Sequence, residues 1–280
     1  MEKGASKRRH IKYPLVVKLI GIISIIVIVT MGTITGISSW FFSEDSRART
    51  EENTLTMSQV LAAQIGGRLD STLSGAFSLL DMLRETAGNR GIEAVTVSNW
   101  FSRNAAVALI EIPGQKTIRN AKFYRANEFT DDALDQFIAA NGSVVERARN
   151  GESLVCNASP LIGIPAAALF VPYYDLGTKN AMIIVFSTEE FQSMVQTNQT
   201  SINYVVGWDG SLIVHPDFDL VKMGANFGDR ELVKKIHAST SDNLQIRYRD
   251  TDGKTYLGAF RKLQTGSLAV TSSTPTALVY

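Results

Sequence analysis

The polarity of the chain changes abruptly along its length. From Leu19 to Trp40 no charged residue occurs, and the run LIGIISIIVIVTMGTITGISSW shows no polar stripe before Thr30. As a helix this run rises about 33 Å, enough to cross roughly 30 Å of bilayer hydrocarbon. Trp40, Phe41 and Phe42 close it as an aromatic belt. A cleaved signal peptide would carry a shorter apolar run ending in small residues, so the pattern predicts an uncleaved transmembrane helix over 14–42. From Ser43 to about Gly88 there is no proline, and Leu61, Ile65, Leu69, Leu73 and Phe77 recur four apart, joined by Leu80 and Leu83. Arg68, Asp70, Asp81 and Arg84 fall off that stripe. The spacing predicts a long stalk helix over 43–88 whose apolar face packs against its own domain. Leu55, Ala62, Leu69, Ala76 and Leu83 also repeat every seventh residue, a seam for a dimer contact that Ser58 and Thr72 interrupt.

Beyond Gly88 the apolar runs become short and are separated by turn residues. Residues 107–112 read as a strand ending at the Pro113-Gly114 turn, and 117–126 alternates as a strand. Residues 130–152 read as a helix with Thr130 as N-cap and acids in the first turn. SPLIGIP, AAALFVPYYDLG and 180–187 read as strands, and TEEFQSMVQTNQ as a closing helix. A second unit begins near Ser201: two strands around Trp208-Asp209-Gly210, a helix near 228–238, then three strands, LQIRYRD, TYLGAFRKL and GSLAVTSSTP. Each unit is of ordinary domain size.

Charge adds direction. Residues 1–18 carry Lys3, Lys7, Arg8, Arg9, Lys12 and Lys18 against Glu2 alone, and Glu44 and Asp45 follow the apolar run. The positive-inside rule puts 1–13 in the cytoplasm as a basic arm and everything after Phe42 outside, anchored in a membrane. A basic arm before a mildly acidic body is a topology signature and excludes a nucleic-acid partner. The single cysteine, Cys156, excludes an intramolecular disulfide, and three scattered histidines have no zinc-site spacing. No G-x-S-x-G, phosphate loop or H-E-x-x-H occurs, so no catalytic residue, metal or cofactor is expected in this segment.

The stretch WDGSLIVHPDFDLVKMGANFGDRELVKKI, then IRYRDTDGKTYLGAF and GSLAVTSSTP, resembles the membrane-proximal module of double Cache sensor domains. The matching residues are Asp209, Gly210, His215-Pro216, Gly224-Ala225-Asn226, Asp252-Gly253 and Pro275; Gly266-Ser267 departs from the frequent Gly-Trp. His215 reads as structural, since no carboxylate cluster accompanies it. The resemblance implies an α+β fold: transmembrane helix, stalk helix, and two PAS-like antiparallel-sheet modules, distal over 89–198 and proximal over 199–275. It further implies a homodimeric bacterial transmembrane receptor that senses a small molecule. The output would be a chemoreceptor, histidine kinase, diguanylate cyclase or class III adenylate/guanylate cyclase, reached through a second membrane helix after 276–280. The other reading of the residues is a membrane-anchored interaction or adhesion protein.

In this family the distal module usually holds the ligand. Arg119, Tyr124, Arg125, Tyr173, Tyr174 and Asp175 are the polar and aromatic side chains there that suit a pocket. Arginine with tyrosines fits a carboxylate, through bidentate pairing between aromatic walls. Phe186 stands where the amino-acid-binding version has an aspartate, and the Arg-x-x-Trp-Tyr signature is missing, which speaks against an α-amino acid.

Overall fold

The computed structural model describes residues 14–112, 116–175, 177–196 and 201–278, together with the backbone but not the side chains of Asp175 and Leu278. The basic arm 1–13, the Pro113-Gly114 turn and the last two residues of the exit lie outside the described residues. The chain divides into two units, Met1–Arg49 and Thr50–Tyr280.

In the first unit the apolar run is helical. It belongs to α1 (Leu15–Glu85), whose most apolar 18-residue window has a mean hydropathy of 2.6 and no buried residue. Thr30 and Thr33 return their hydroxyls to the carbonyls of Ile26 and Val29, so both polar side chains are satisfied within the helix. The same helix continues into the second unit, where Leu61, Ala62, Ile65, Leu69, Ala76, Leu79 and Leu80 are buried. Leu73, Phe77 and Leu83 pack against that core while partly exposed. The i+4 stripe is therefore the face that α1 turns to its own domain.

Past α1 the structure adds a helix that the apolar texture hid, α2 (Arg90–Arg103), capped by the Asn89 side chain on Ile92 N. Then follow β1 (Ala106–Ile112) and β2 (Lys116–Arg119). Residues 117–126 are not one strand: Asn120 stops β2 and caps α3 (Ala121–Ala126), its Oδ1 accepting from Phe123 N at 3.2 Å. The single helix expected over 130–152 is two, α4 (Asp131–Ala140) and α5 (Gly142–Arg149), broken at Asn141-Gly142, and Thr130 makes no side-chain capping bond. After β3 (Leu154–Asn157), SPLIGIP forms a helical turn, α6 (Ser159–Ile162), because Pro160 sits where helices accept it and Gly163 ends it at φ 81°. The module closes with β4 (Ala166–Asp175), β5 (Thr178–Ser187) and α7 (Glu189–Gln196).

The second module repeats the scheme: β6 (Ile202–Val206), β7 (Leu212–Val214), α8 (Phe218–Lys222), α9 (Glu231–Ala238), β8 (Asn243–Arg249), β9 (Thr255–Leu263) and β10 (Leu268–Pro275). The two five-stranded sheets run β2-β1-β5-β4-β3 and β7-β6-β10-β9-β8, the same permutation, antiparallel throughout. One apolar core lies under α1 and receives one face of each sheet, for example Leu169 and Ile184 from the first and Val205 and Val270 from the second. The other face of the first sheet is covered by α4 and α5, with Phe137, Val144 and Ala148 against Phe170 and Ile183. That of the second sheet is covered by α8 and α9, with Leu232 and Ile236 among Tyr204, Tyr248 and Phe260.

The recognisable motif residues turn out to brace the second module. Gly210 adopts φ 81°, and a Cβ there would lie 2.6 Å from Gly228 Cα. Asn226 clamps the same turn, donating to Asp209 O at 3.0 Å and accepting from Gly228 N at 2.7 Å. His215 Nδ1 accepts from Asp217 N at 3.0 Å, and its ring lies near Tyr204 and Phe227. Burial holds its pKa below the usual histidine value.

Candidate ligand site

The first module gathers polar side chains around the β2–α3 corner. Asn120 fastens that corner to β1: its backbone N–H donates to Val107 O at 3.0 Å and its Nδ2 to Ala106 O at 3.2 Å. This fixes Arg119 on one side of Asn120 and Lys122 on the other. Between the corner and α2 lies a cavity of about 550 Å³, walled by Val97, Phe101 and Phe123, with Arg119, Lys122 and Asn127 in its lining. Two cations over apolar walls suit an anionic group attached to an apolar body.

Behind Arg119 stands Asp131, the first residue of α4, whose Oδ2 lies 2.6 Å from Arg119 Nη2 as an ion pair. Its other oxygen, Oδ1, is buried without a hydrogen-bond partner among the described residues, and so is the hydroxyl of Tyr124. The Tyr124 ring meets Phe129 edge-on at 4.9 Å, which pins the loop before α4. Burial, reinforced by the negative charge of Asp131, pushes the Tyr124 phenol up to about 12. The phenol therefore stays protonated and available as a donor at any physiological pH. Two unsatisfied polar atoms next to an arginine form an unusual concentration, because such atoms are nearly always paired.

Of the six side chains singled out in the sequence, the structure brings together Arg119 and Tyr124. Arg125, on α3, is exposed. Tyr173 faces α1, where its hydroxyl accepts from Arg84 Nη2 and its ring lies 5.5 Å from the Arg84 guanidinium carbon. Tyr174 is 60% exposed at the outer end of β4. Asp175 pairs with Thr178 through the backbone, and its side chain lies outside the described residues. Lys122, Asn127, Phe123, Phe129 and Asp131 were missed. The available signal was the pair Asn120 and Asn127, cap residues at both ends of α3 that a strand reading overlooked. Cys156 is buried on the α5 face, and burial pushes its thiol up to about 12, so it packs as a small apolar side chain.

Comparison with family profiles gave no match, and no curated protein matches the sequence. Solved structures match in fold. The periplasmic sensory domain of the Campylobacter jejuni chemoreceptor Tlp1 aligns at a TM-score of 0.55 and 16% identity, over 84% of this chain and 98% of that one. The ligand-binding domain of Mlp24, with asparagine, aligns at 0.54 and 15% identity, over 85% and 97%. The extracellular domain of rpHK1S-Z16, assigned as a histidine kinase, aligns at 0.53 and 14%, over 82% and 97%. The chain thus has the double Cache fold: an N-terminal apolar helix followed by two five-stranded antiparallel modules.

Proposed function

We infer that this chain is the anchored sensory portion of a transmembrane signalling receptor. The apolar part of α1 crosses the membrane, the unit after it faces the outside, and the first module, 89–198, receives a small ligand. The observation that supports this reading is the fold, shared over nearly the full length of a chemoreceptor sensory domain, a ligand-binding domain and the extracellular domain of a kinase-assigned protein. The ligand is a small carboxylate with an apolar body. Arg119 and Lys122 take its charge, Phe101 and Phe123 line its body, and Tyr124 donates once the corner opens. When the carboxylate draws Arg119 away, Asp131 loses its partner and α4 shifts, which gives the ligand a differential affinity for two arrangements. The second module, 199–275, passes that shift to a cytoplasmic output, a chemotaxis domain, a kinase or a nucleotide cyclase.

A thermal-shift titration of the full chain in detergent micelles, against aliphatic and aromatic monocarboxylates, tests the reading. A saturable rise in melting temperature is expected, and Arg119→Gln weakens apparent affinity by about tenfold, one charge-assisted hydrogen-bonded pair. A response that Arg119→Gln leaves untouched places the ligand elsewhere.

A further inference from the structure

A second cavity, of about 620 Å³, opens between α1 and the β9–β10 hairpin of the second module. On the helix side the residues are small, Ala62, Ala63 and Gly66. Gly66 lets the hairpin lean in: a Cβ there would stand 3.3 Å from Leu263 Cδ2. Some of the polar lining is already committed. Thr265 Oγ1 donates to Asp70 at 2.6 Å, and Lys262 Nζ donates to Ser239 O at 2.6 Å. Asp242 lies exposed at the rim.

Arg261 differs from these. It is partly buried, and strand alternation puts it on the same face of β9 as Leu263, which packs into the core under α1. Its guanidinium has no hydrogen bond or ion pair with any described residue. Five donors in a fixed fork, on a positive charge partly removed from water, call for a planar oxyanion. Gln59 and Gln264, in the same lining, offer amide donors and acceptors for the rest of a polar solute.

We propose that this cavity is a second ligand site, taking a small solute that bears a carboxylate or phosphate group, with the oxyanion on Arg261. Its position gives the site leverage. The hairpin turn that closes it is also bonded to the first module, through Val155 N to Gly266 O at 2.8 Å and Gly266 N to Ser153 Oγ at 2.9 Å. An occupant would fasten this hairpin to α1 whether or not the first module is loaded, so the site does not depend on the ligand reading given above.

The test is a titration of the full chain in micelles with succinate and, separately, with inorganic phosphate, followed by calorimetry. Saturable binding of one probe is expected, and which probe binds identifies the oxyanion. Arg261→Gln should weaken it by about tenfold or more, Arg261→Lys by less, and Arg119→Gln should leave it unchanged. Ala63→Phe, which fills the cavity from the exposed side of α1 without touching the arginine, should abolish binding in a chain that still melts cooperatively. The proposal fails if neither probe binds saturably in the millimolar range, or if binding survives both Arg261→Gln and Ala63→Phe. If Arg119→Gln left the monocarboxylate titration untouched while the Arg261 results held, the first-module site alone would be overturned.

Discussion

His215 illustrates how a residue that looks chemical serves structure. In its neutral form Nδ1 accepts the Asp217 N–H. Burial depresses its folded pKa, so the unfolded chain takes up the proton first as pH falls. The histidine's contribution is thus complete above its unfolded pKa of about 6.5 and is lost as pH drops toward the lower folded value. Denaturation midpoints measured between neutral and mildly acidic pH should fall for the wild type, and His215→Gln should flatten that part of the profile. An identical slope in the variant would mean that other groups carry it. The motif residues around His215 were legible in the sequence because each acts within a few residues of itself: Gly210 by its φ, Pro216 by ending a strand, Asn226 by clamping a turn. Arg119 was legible as a candidate pocket cation, but its partner Asp131 and the α2 wall of its cavity were not, because they come from segments whose spatial proximity no local pattern records.

At the scale of elements, the face between α1 and the second sheet changes character along the helix. Near Leu69 it is apolar, but lower down it is built from Thr54, Ser58, Asn203, Ser272 and Thr274, all buried. Thr274 Oγ1 lies 3.3 Å from Thr54 Oγ1 and 2.7 Å from Ser201 Oγ. Asn203 and Ser272, opposite each other in the β6–β10 register, have no side-chain partner among the described residues, although Asn203 is 1% exposed. Buried groups in that state each cost about 1–3 kcal/mol. Asn203→Val should therefore raise stability by about 1–2 kcal/mol in urea denaturation; a loss would show that the amide is satisfied in solution. Element prediction followed the same logic of range. The stripe on α1 was readable because tertiary packing and helical period agree. The α3 segment was misread because alternation over a few residues cannot outvote an asparagine cap at each end. The helix break at Asn141-Gly142 is likewise a local backbone event inside an otherwise continuous pattern.

On the scale of the molecule, the two modules share the apolar core under α1 and are further joined by specific contacts across their seam. Asn157 Nδ2 donates to Val221 O at 2.7 Å, the Arg147 guanidinium carbon lies 3.9 Å from the Trp208 ring centre, and the Gly266 turn bonds β3. Gly266 holds φ 81°, and a Cβ there would stand 2.4 Å from Val155 Cγ2. Gly266→Ala should cost about 2 kcal/mol or more and speed amide exchange at Val155 while leaving the β4–β5 centre protected. Adding Val155→Ala should restore part of the loss, since the clash is removed and only the backbone strain remains. None of these inter-module contacts was visible in the sequence, which showed two similar units but not their seam.

The repeated strand permutation has a mechanical corollary. It puts β10, the last strand, in the middle of its sheet, paired at five positions with β6 and at eight with β9. A pull along that strand loads both ladders in shear at once, where an edge strand would peel away one bond at a time. Displacement arriving at Thr276 therefore carries the whole second sheet with it, and the smallest moving part of this machine is a module.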